Sequence, residues 1–243
     1  MNFKITIAYD GTDFTGWQMQ PGAQTIQGAL TEALTSLDGA PVTVFGAGRT
    51  DSGVHAEGQV ASFVLTRIRS ATQIRHALNG MLPRDIRVLE AAAAPDNFHA
   101  RRDAQSKTYR YHLFTARAMN PFLNRFAWHF PYSLNLERLR QDAALLVGTH
   151  DFSAFTVVAS DVKTRIRTLT AVEVGSEGTN LLLRFTGNGF LRYMVRTMVS
   201  ALVDVNRGRL RCDSLEELLK TGDRHLAGAM APAKGLTMMK VEY

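Results

Sequence analysis

The chain opens on Phe3-Lys4-Ile5-Thr6-Ile7-Ala8-Tyr9 and, a loop later, continues as Thr25-Ile26-Gln27-Gly28-Ala29-Leu30-Thr31-Glu32-Ala33-Leu34-Thr35-Ser36-Leu37. The first stretch alternates side by side, the period of a strand with one buried face. The second sets Ile26, Leu30, Ala33, Leu34 and Leu37 on one helical face. Working outward, residues 41–45 and 59–65 read as strands. Residues 72–82 read as a helix with Ile74, Ala77, Leu78 and Met81 inward, and 85–91 as a further strand. The order is β-α-β-β-α-β. The second half repeats it, with a strand at 107–114, a helix at 136–147 and a hairpin of 166–174 with 180–185 around Ser176-Glu177-Gly178. A long helix at 190–205 and a closing strand at 237–243 complete it. An extra helix is expected at 215–220, with Ser214 as its N-cap.

Two such halves predict an α+β protein of two ferredoxin-like, RRM-like units. Each would carry a mainly antiparallel sheet with helices on one face. The boundary is expected within 101–106, giving domains 1–105 and 106–243. The repeat lies in the elements and not in the residues themselves.

Composition narrows the classes. With 45% hydrophobic residues in 243, the chain can fill one large core or two small ones. The net charge of +6 and sequence pI near 9.7 point to an acidic partner, nucleic acid first. Cys212 is the single cysteine. That rules out an intrachain disulfide and a Cys-rich zinc site, and it fits a reducing, cytoplasmic setting. The N-terminal stretch lacks the apolar core of a signal peptide. No apolar run reaches membrane-spanning length: the most apolar helix, 194–205, is broken by Arg196 and Asp204 and reads as a core helix. No P-loop and no dinucleotide fingerprint occurs.

Three segments carry candidate chemistry. Phe45-Gly46-Ala47-Gly48-Arg49-Thr50-Asp51-Ser52-Gly53-Val54-His55-Ala56 packs glycines, Arg49, Asp51 and His55 into a loop after an apolar strand. A carboxylate beside Arg49 is kept ionised, and a rigidly held one can serve as nucleophile or base. A charged surface turn has the same composition. In Ser106-Lys107-Thr108-Tyr109-Arg110-Tyr111-His112, strand alternation puts Lys107, Tyr109 and Tyr111 on one face, a pattern suited to stacking on a base beside a phosphate. In Gly187-Asn188-Gly189-Phe190-Leu191-Arg192-Tyr193-Met194-Val195-Arg196, Arg192 and Arg196 fall four apart on one expected helical face, near an N-terminus where arginine opposes the helix dipole. Such arginines suggest a phosphate or carboxylate partner, and a solvated basic face has the same composition. Arg101 belongs to the wider basic footprint. Asp51 and His55 stand four apart, with Asp96 and His99 elsewhere, and are metal-ligating types. Gly53 between the first two argues against a helix, and no third ligand follows by spacing. His99, His112, His150 and His225 read as structural.

Together these segments resemble the tRNA pseudouridine synthase A family. The resemblance also runs through Tyr9-Asp10-Gly11-Thr12-Asp13-Phe14-Thr15-Gly16-Trp17-Gln18, Asn97-Phe98-His99-Ala100-Arg101 and Asn120-Pro121-Phe122. Gly148-Thr149-His150-Asp151-Phe152-Ser153-Ala154-Phe155 and Ala231-Pro232-Ala233-Lys234-Gly235-Leu236 extend it, in order along nearly the whole chain. It implies the pseudouridine synthase fold, with two halves flanking a central catalytic cleft. It implies isomerisation of uridine to pseudouridine at positions 38, 39 and 40 of the tRNA anticodon stem-loop, by a homodimer needing neither cofactor nor metal. Asp51 then matches the nucleophile, Tyr109 the active-site tyrosine, Arg196 the arginine paired with the aspartate, and Arg49 one implicated in flipping the target base. Arg101, Lys107 and Arg192 join Arg49 and Tyr109 as substrate contacts. The chain departs from the family pattern at Ser52, where alanine is usual, and at Tyr193, Thr197 and Ser200, which replace histidine, asparagine and glycine. Residues 162–167 also lack an expected proline. Two rival readings remain: a non-catalytic RNA-binding protein, and a metal-dependent hydrolase using Asp51, His55 and His99.

Overall fold

The structure, a computed structural model, describes residues 1–67, 69–157, 163–210 and 215–243. The strands are β1 (Asn2–Tyr9), β2 (Phe45–Gly46), β3 (His55–Val64), β4 (Ile86–Ala93), β5 (Ser106–Phe114), β6 (Trp128–His129), β7 (Gly148–Asp151), β8 (Ile166–Glu177), β9 (Asn180–Gly187) and β10 (Leu236–Glu242). The helices are α1 (Ile26–Asp38), α2 (Ala71–Met81), α3 (Leu136–Ala144), α4 (Met194–Asn206) and α5 (Leu215–Thr221). Ser214, expected to cap α5, lies outside the described residues. The chain forms two compact units, Met1–Gln105 with Thr237–Tyr243, and Ser106–Leu236. The closing strand thus packs with the first unit, whereas sequence order alone places it in the second.

In the first unit β1 lies between β4 and β3, antiparallel to both. Phe3, Ile5 and Ile7 of β1 are fully covered, and Phe3 stacks on Phe63 of β3 at 6.1 Å. The outer edge of β3 is shared. Its Ala61–Ser62 end pairs with β2, and its His55–Ala56 end runs parallel to β10 at Thr237–Met238. This arrangement needs a short β2, and the strand expected over 41–45 is reduced to two residues. Val42 and Val44 are buried, but their backbones are satisfied by α1 and not by a ladder. The Val42 N–H donates to Thr35 Oγ1 (3.2 Å), and the Val44 carbonyl accepts from Gln27 Nε2 (2.9 Å). β3 starts four residues earlier than its pattern suggests, because it is buried on both faces and does not alternate. Gly58 lets β10 come close: a Cβ there would lie 2.3 Å from the Met239 carbonyl oxygen.

In the second unit the antiparallel order is β5-β9-β8-β7, with β6 parallel to β5. The hairpin of β8 and β9 turns on Gly178, at φ 55°, through a two-residue loop between Glu177 and Asn180. α4 is covered along nearly its whole length, from Met194 to Val205, and contacts α3, α5 and β5. A helix apolar on all sides is a core helix, and Met198, Val199, Ala201, Leu202 and Val203 fill that role. It begins at Met194 and not at 190, because Tyr193 adopts a left-handed conformation, φ 65°, that ends helical continuity backward. α3 stops three residues short of 147: Leu146 and Val147 tighten into i→i−3 bonds to Ala143 and Ala144 before Gly148 turns the chain at φ 118°.

Candidate active site

In the first unit, the loop between β2 and β3 is held at nearly every residue. The Gly48 carbonyl accepts from Gln59 Nε2 (2.8 Å), and the Thr50 carbonyl from the Trp17 N–H (3.0 Å). The Thr50 hydroxyl is 2.9 Å from the Tyr9 hydroxyl. Tyr9 is fully enclosed, and burial pushes its phenol up to about 12, so it stays neutral as a fixed polar anchor. The Ser52 hydroxyl (3.2 Å) and the Gly53 N–H (3.3 Å) both donate to the Phe14 carbonyl. The Val54 N–H donates to the Asp51 carbonyl (3.1 Å), closing a turn whose third residue, Gly53, sits at φ 76°. Gly16, at φ 81°, backs onto this turn: a Cβ there would lie 2.6 Å from the Thr50 oxygen and 3.0 Å from the Asp51 carbonyl carbon. Asp51 is therefore a half-buried carboxylate on a backbone with little freedom, and Arg49 is exposed two residues before it. A preset carboxylate avoids reorganisation when charge develops beside it.

His55 closes the same corner. Its ring is 2% exposed, its Nδ1 accepts from the Gly11 N–H (3.0 Å), and the Asp10 carboxylate lies 3.2 Å from that same nitrogen. His99 packs at a tilt on Phe45, ring centres 4.6 Å apart, and its Nδ1 accepts from the Arg101 N–H (3.1 Å). Both rings are engaged in local packing, as the structural reading of His99 expects. Among the described residues no group of three His, Cys, Asp or Glu side chains is placed to hold a metal. Arg101 is exposed on a turn tied down by Ala100, whose N–H donates to Ser62 Oγ (3.0 Å) and whose carbonyl accepts from the Tyr243 hydroxyl (2.7 Å).

In the second unit β5 keeps the expected alternation: Tyr109, Tyr111 and Leu113 are buried, and Thr108, Arg110 and His112 are partly exposed on the other face. Lys107 shares the tyrosine face and is half-buried. Tyr109 meets Phe190 edge-on at 4.9 Å. Tyr111 is a structural residue: its hydroxyl donates to the Pro232 carbonyl (2.8 Å), Gly235 fits flush against its ring, and burial raises its pKa well above the ordinary phenol value. Arg192 precedes α4 and Arg196 lies in its first turn, so the two are not on one helical face as their spacing suggests. They still converge, on a side chain not singled out as a site residue. Arg192 Cζ lies 4.7 Å and Arg196 Cζ 5.6 Å from the centre of the Tyr193 ring, and Arg192 Nη2 donates to the Tyr193 hydroxyl (2.8 Å). Arg196 Nε donates to the Ala231 carbonyl (2.8 Å), and the Ala231 N–H returns a bond to the Arg196 carbonyl (3.2 Å). The only hint of this in the sequence is the aromatic flanked by arginines at i−1 and i+3.

The first unit of this α+β scaffold thus presents a carboxylate on a pinned glycine turn, and the second a guanidinium held at Nε. The chain belongs to the tRNA pseudouridine synthase family, which matches residues 5–103 and 143–243. It is an enzyme of the isomerase class. Among similar proteins named tRNA pseudouridine synthase A, that of Exiguobacterium sibiricum is 43% identical, over 99% of this chain and 96% of its own. That of Latilactobacillus sakei is 41% identical over 99% and 98%, and that of Bacillus subtilis 40% over 100% and 99%. No helix among the described residues is long and apolar enough to cross a membrane.

Proposed function

We propose that the protein converts uridine to pseudouridine at positions 38, 39 and 40 of the tRNA anticodon stem-loop, in the cytoplasm, as a homodimer, with Asp51 as nucleophile or base. The family membership and the names of its relatives support tRNA as substrate. The single observation behind the role of Asp51 is the turn that holds it, tied at Gly48, Thr50, Ser52, Gly53 and Val54. The position range and the dimer rest on the resemblance of motifs.

The chemistry is an internal exchange of bonds. The N1–C1′ glycosidic bond breaks, uracil turns, and C5 bonds to C1′. The C5 proton leaves and N1 gains one, so the product is an isomer and no redox partner is needed. Breaking a glycosidic bond builds positive charge on the sugar, which a nearby carboxylate stabilises or captures. Asp51 takes that role. Arg196 is assigned to keep the carboxylate ionised and oriented. Tyr109 stacks on the base, and Arg101, Lys107 and Arg192 engage the phosphates around it. A paired or stacked base is out of reach, so the nucleotide flips out and Arg49 fills the vacated space. The net charge of +6 favours the polyanionic partner.

The test is tritium release from tRNA labelled at uracil C5, since product formation replaces that C–H bond. Wild type should release tritium with excess chelator present, as the metal-dependent reading does not allow. Asp51→Ala and Arg196→Leu should each lose about 10²–10⁴-fold in rate while still binding tRNA. Binding without release by the wild type on unmodified tRNA would favour the non-catalytic RNA-binding reading. Full turnover by Asp51→Ala would remove Asp51 from the mechanism.

A further inference from the structure

Tyr193 is the one non-glycine residue among those described with a positive φ, at φ 65° and ψ 0°. A bulky aromatic is a true outlier in this left-handed region, whereas asparagine and histidine enter it more readily. The residue also stands at the N-cap of α4, and its side chain makes no capping bond there. Neither local backbone preference nor capping accounts for tyrosine at this position. Strain kept at one residue indicates that its side chain is needed where that backbone points it.

The ring is pointed at two guanidiniums. Arg192 stacks over it and donates to its hydroxyl, which fixes the ring plane. Arg196 Cζ lies 5.6 Å from its centre, within the range where the ring face attracts a cation. Arg196 is thus held twice along its length, at Nε by the Ala231 carbonyl and beside the tyrosine ring. Nε is thereby committed to a backbone carbonyl.

We propose that Tyr193 is a positioning residue for the isomerisation: its left-handed backbone and its Arg192-fixed ring set the direction of the Arg196 guanidinium. This rests on the role assigned to Arg196 above. Tyr193 acts through Arg196 and does not itself react. Histidine suits the same backbone and also offers a flat aromatic ring.

The test separates backbone relief from loss of the ring. Tyr193→Asn accepts the left-handed conformation but removes the ring; Tyr193→His accepts it and keeps one. Single-turnover rates on tRNA at saturating enzyme, half-saturating concentrations and melting temperatures are measured for both. The expected Asn result is a rate about tenfold lower, half-saturation within about threefold of wild type, and a melting temperature equal to or above it. The His variant should return the rate to within about threefold. An Asn variant within about threefold of the wild-type rate overturns the proposal, as does equal loss in both variants or a loss that follows a fall in melting temperature. Arg196→Leu is run alongside. Full turnover in that variant removes the role of Arg196 and this proposal with it. An inactive Arg196→Leu beside a fully active Tyr193→Asn removes the positioning role alone.

Discussion

Asp38 shows how a single charged residue is used in this fold. It ends α1 with its side chain covered, and its oxygens accept the Arg67 N–H (3.0 Å), the Thr66 N–H (3.1 Å) and the Thr66 hydroxyl (2.9 Å). The backbone bond from Arg67, then that from Thr66, lowers its pKa below the ordinary aspartate value. A carboxyl with a depressed folded-state pKa binds fewer protons folded than unfolded. Its contribution is complete above the unfolded value and is lost as pH falls through the folded one. Asp38→Asn should therefore lower the melting temperature at neutral pH, and the gap to wild type should begin to narrow below about pH 4 and close once pH falls below the depressed folded value. A gap independent of pH would mean that the charge is irrelevant. Residues differ in how openly the sequence shows them. Asp51 and Arg49 stand out because glycine, aspartate and arginine crowd one short loop. The ties that pin that loop come from Tyr9, Phe14, Trp17 and Gln59, which are ordinary core and turn residues by type. Tyr193 was hidden for a sharper reason: nothing in a tyrosine announces a left-handed backbone.

Elements were legible where local signals agree. The Ser70-Ala71-Thr72-Gln73 start of α2 is a complete capping box. The Ser70 hydroxyl accepts the Gln73 N–H (3.2 Å) and the Gln73 side chain accepts the Ser70 N–H (2.9 Å). Ser70→Ala should cost about 1 kcal/mol in chemical unfolding, and Gln73→Ala, which leaves the hydroxyl in place, less. Equal stability of Ser70→Ala and wild type would show that tertiary packing of Ile74 and Leu78 alone holds this end. β1, β5 and α1 were read to within a residue or two because alternation or helical spacing is strong there. The pattern at 41–45 overstates β2, since Val42 and Val44 are buried without being paired. β6 and β7, two and four residues long, carry no apolar alternation in the sequence. The start of α4 was placed too early because Phe190 and Leu191 continue its apolar spacing although their backbone is not helical.

At the scale of the whole molecule, the homodimer proposed above has a plain check. Sedimentation at working concentration should give twice the 26.9 kDa chain mass, and an active species at the single-chain mass would refute it. A repeated β-α-β-β-α-β order suggests two units from sequence alone; the compact units of the structure part at Gln105 and Ser106. No local pattern assigns Thr237–Tyr243 to the first of them. That strand lies beside β3, ties Gln105 through the Glu242 carbonyl (2.8 Å), and packs Tyr243 against Phe98 at 5.0 Å. By itself the sequence determined the α+β class, most of its helices and strands, and a glycine-rich loop carrying Asp51, because period, capping and turn chemistry act over a few neighbouring residues. Tertiary structure alone decided which edge the last strand joins, what pins the Asp51 turn, and that Tyr193 gathers two arginines. Those depend on hydrogen bonds and ring contacts formed only once the chain is folded, and on a backbone torsion that no local pattern records.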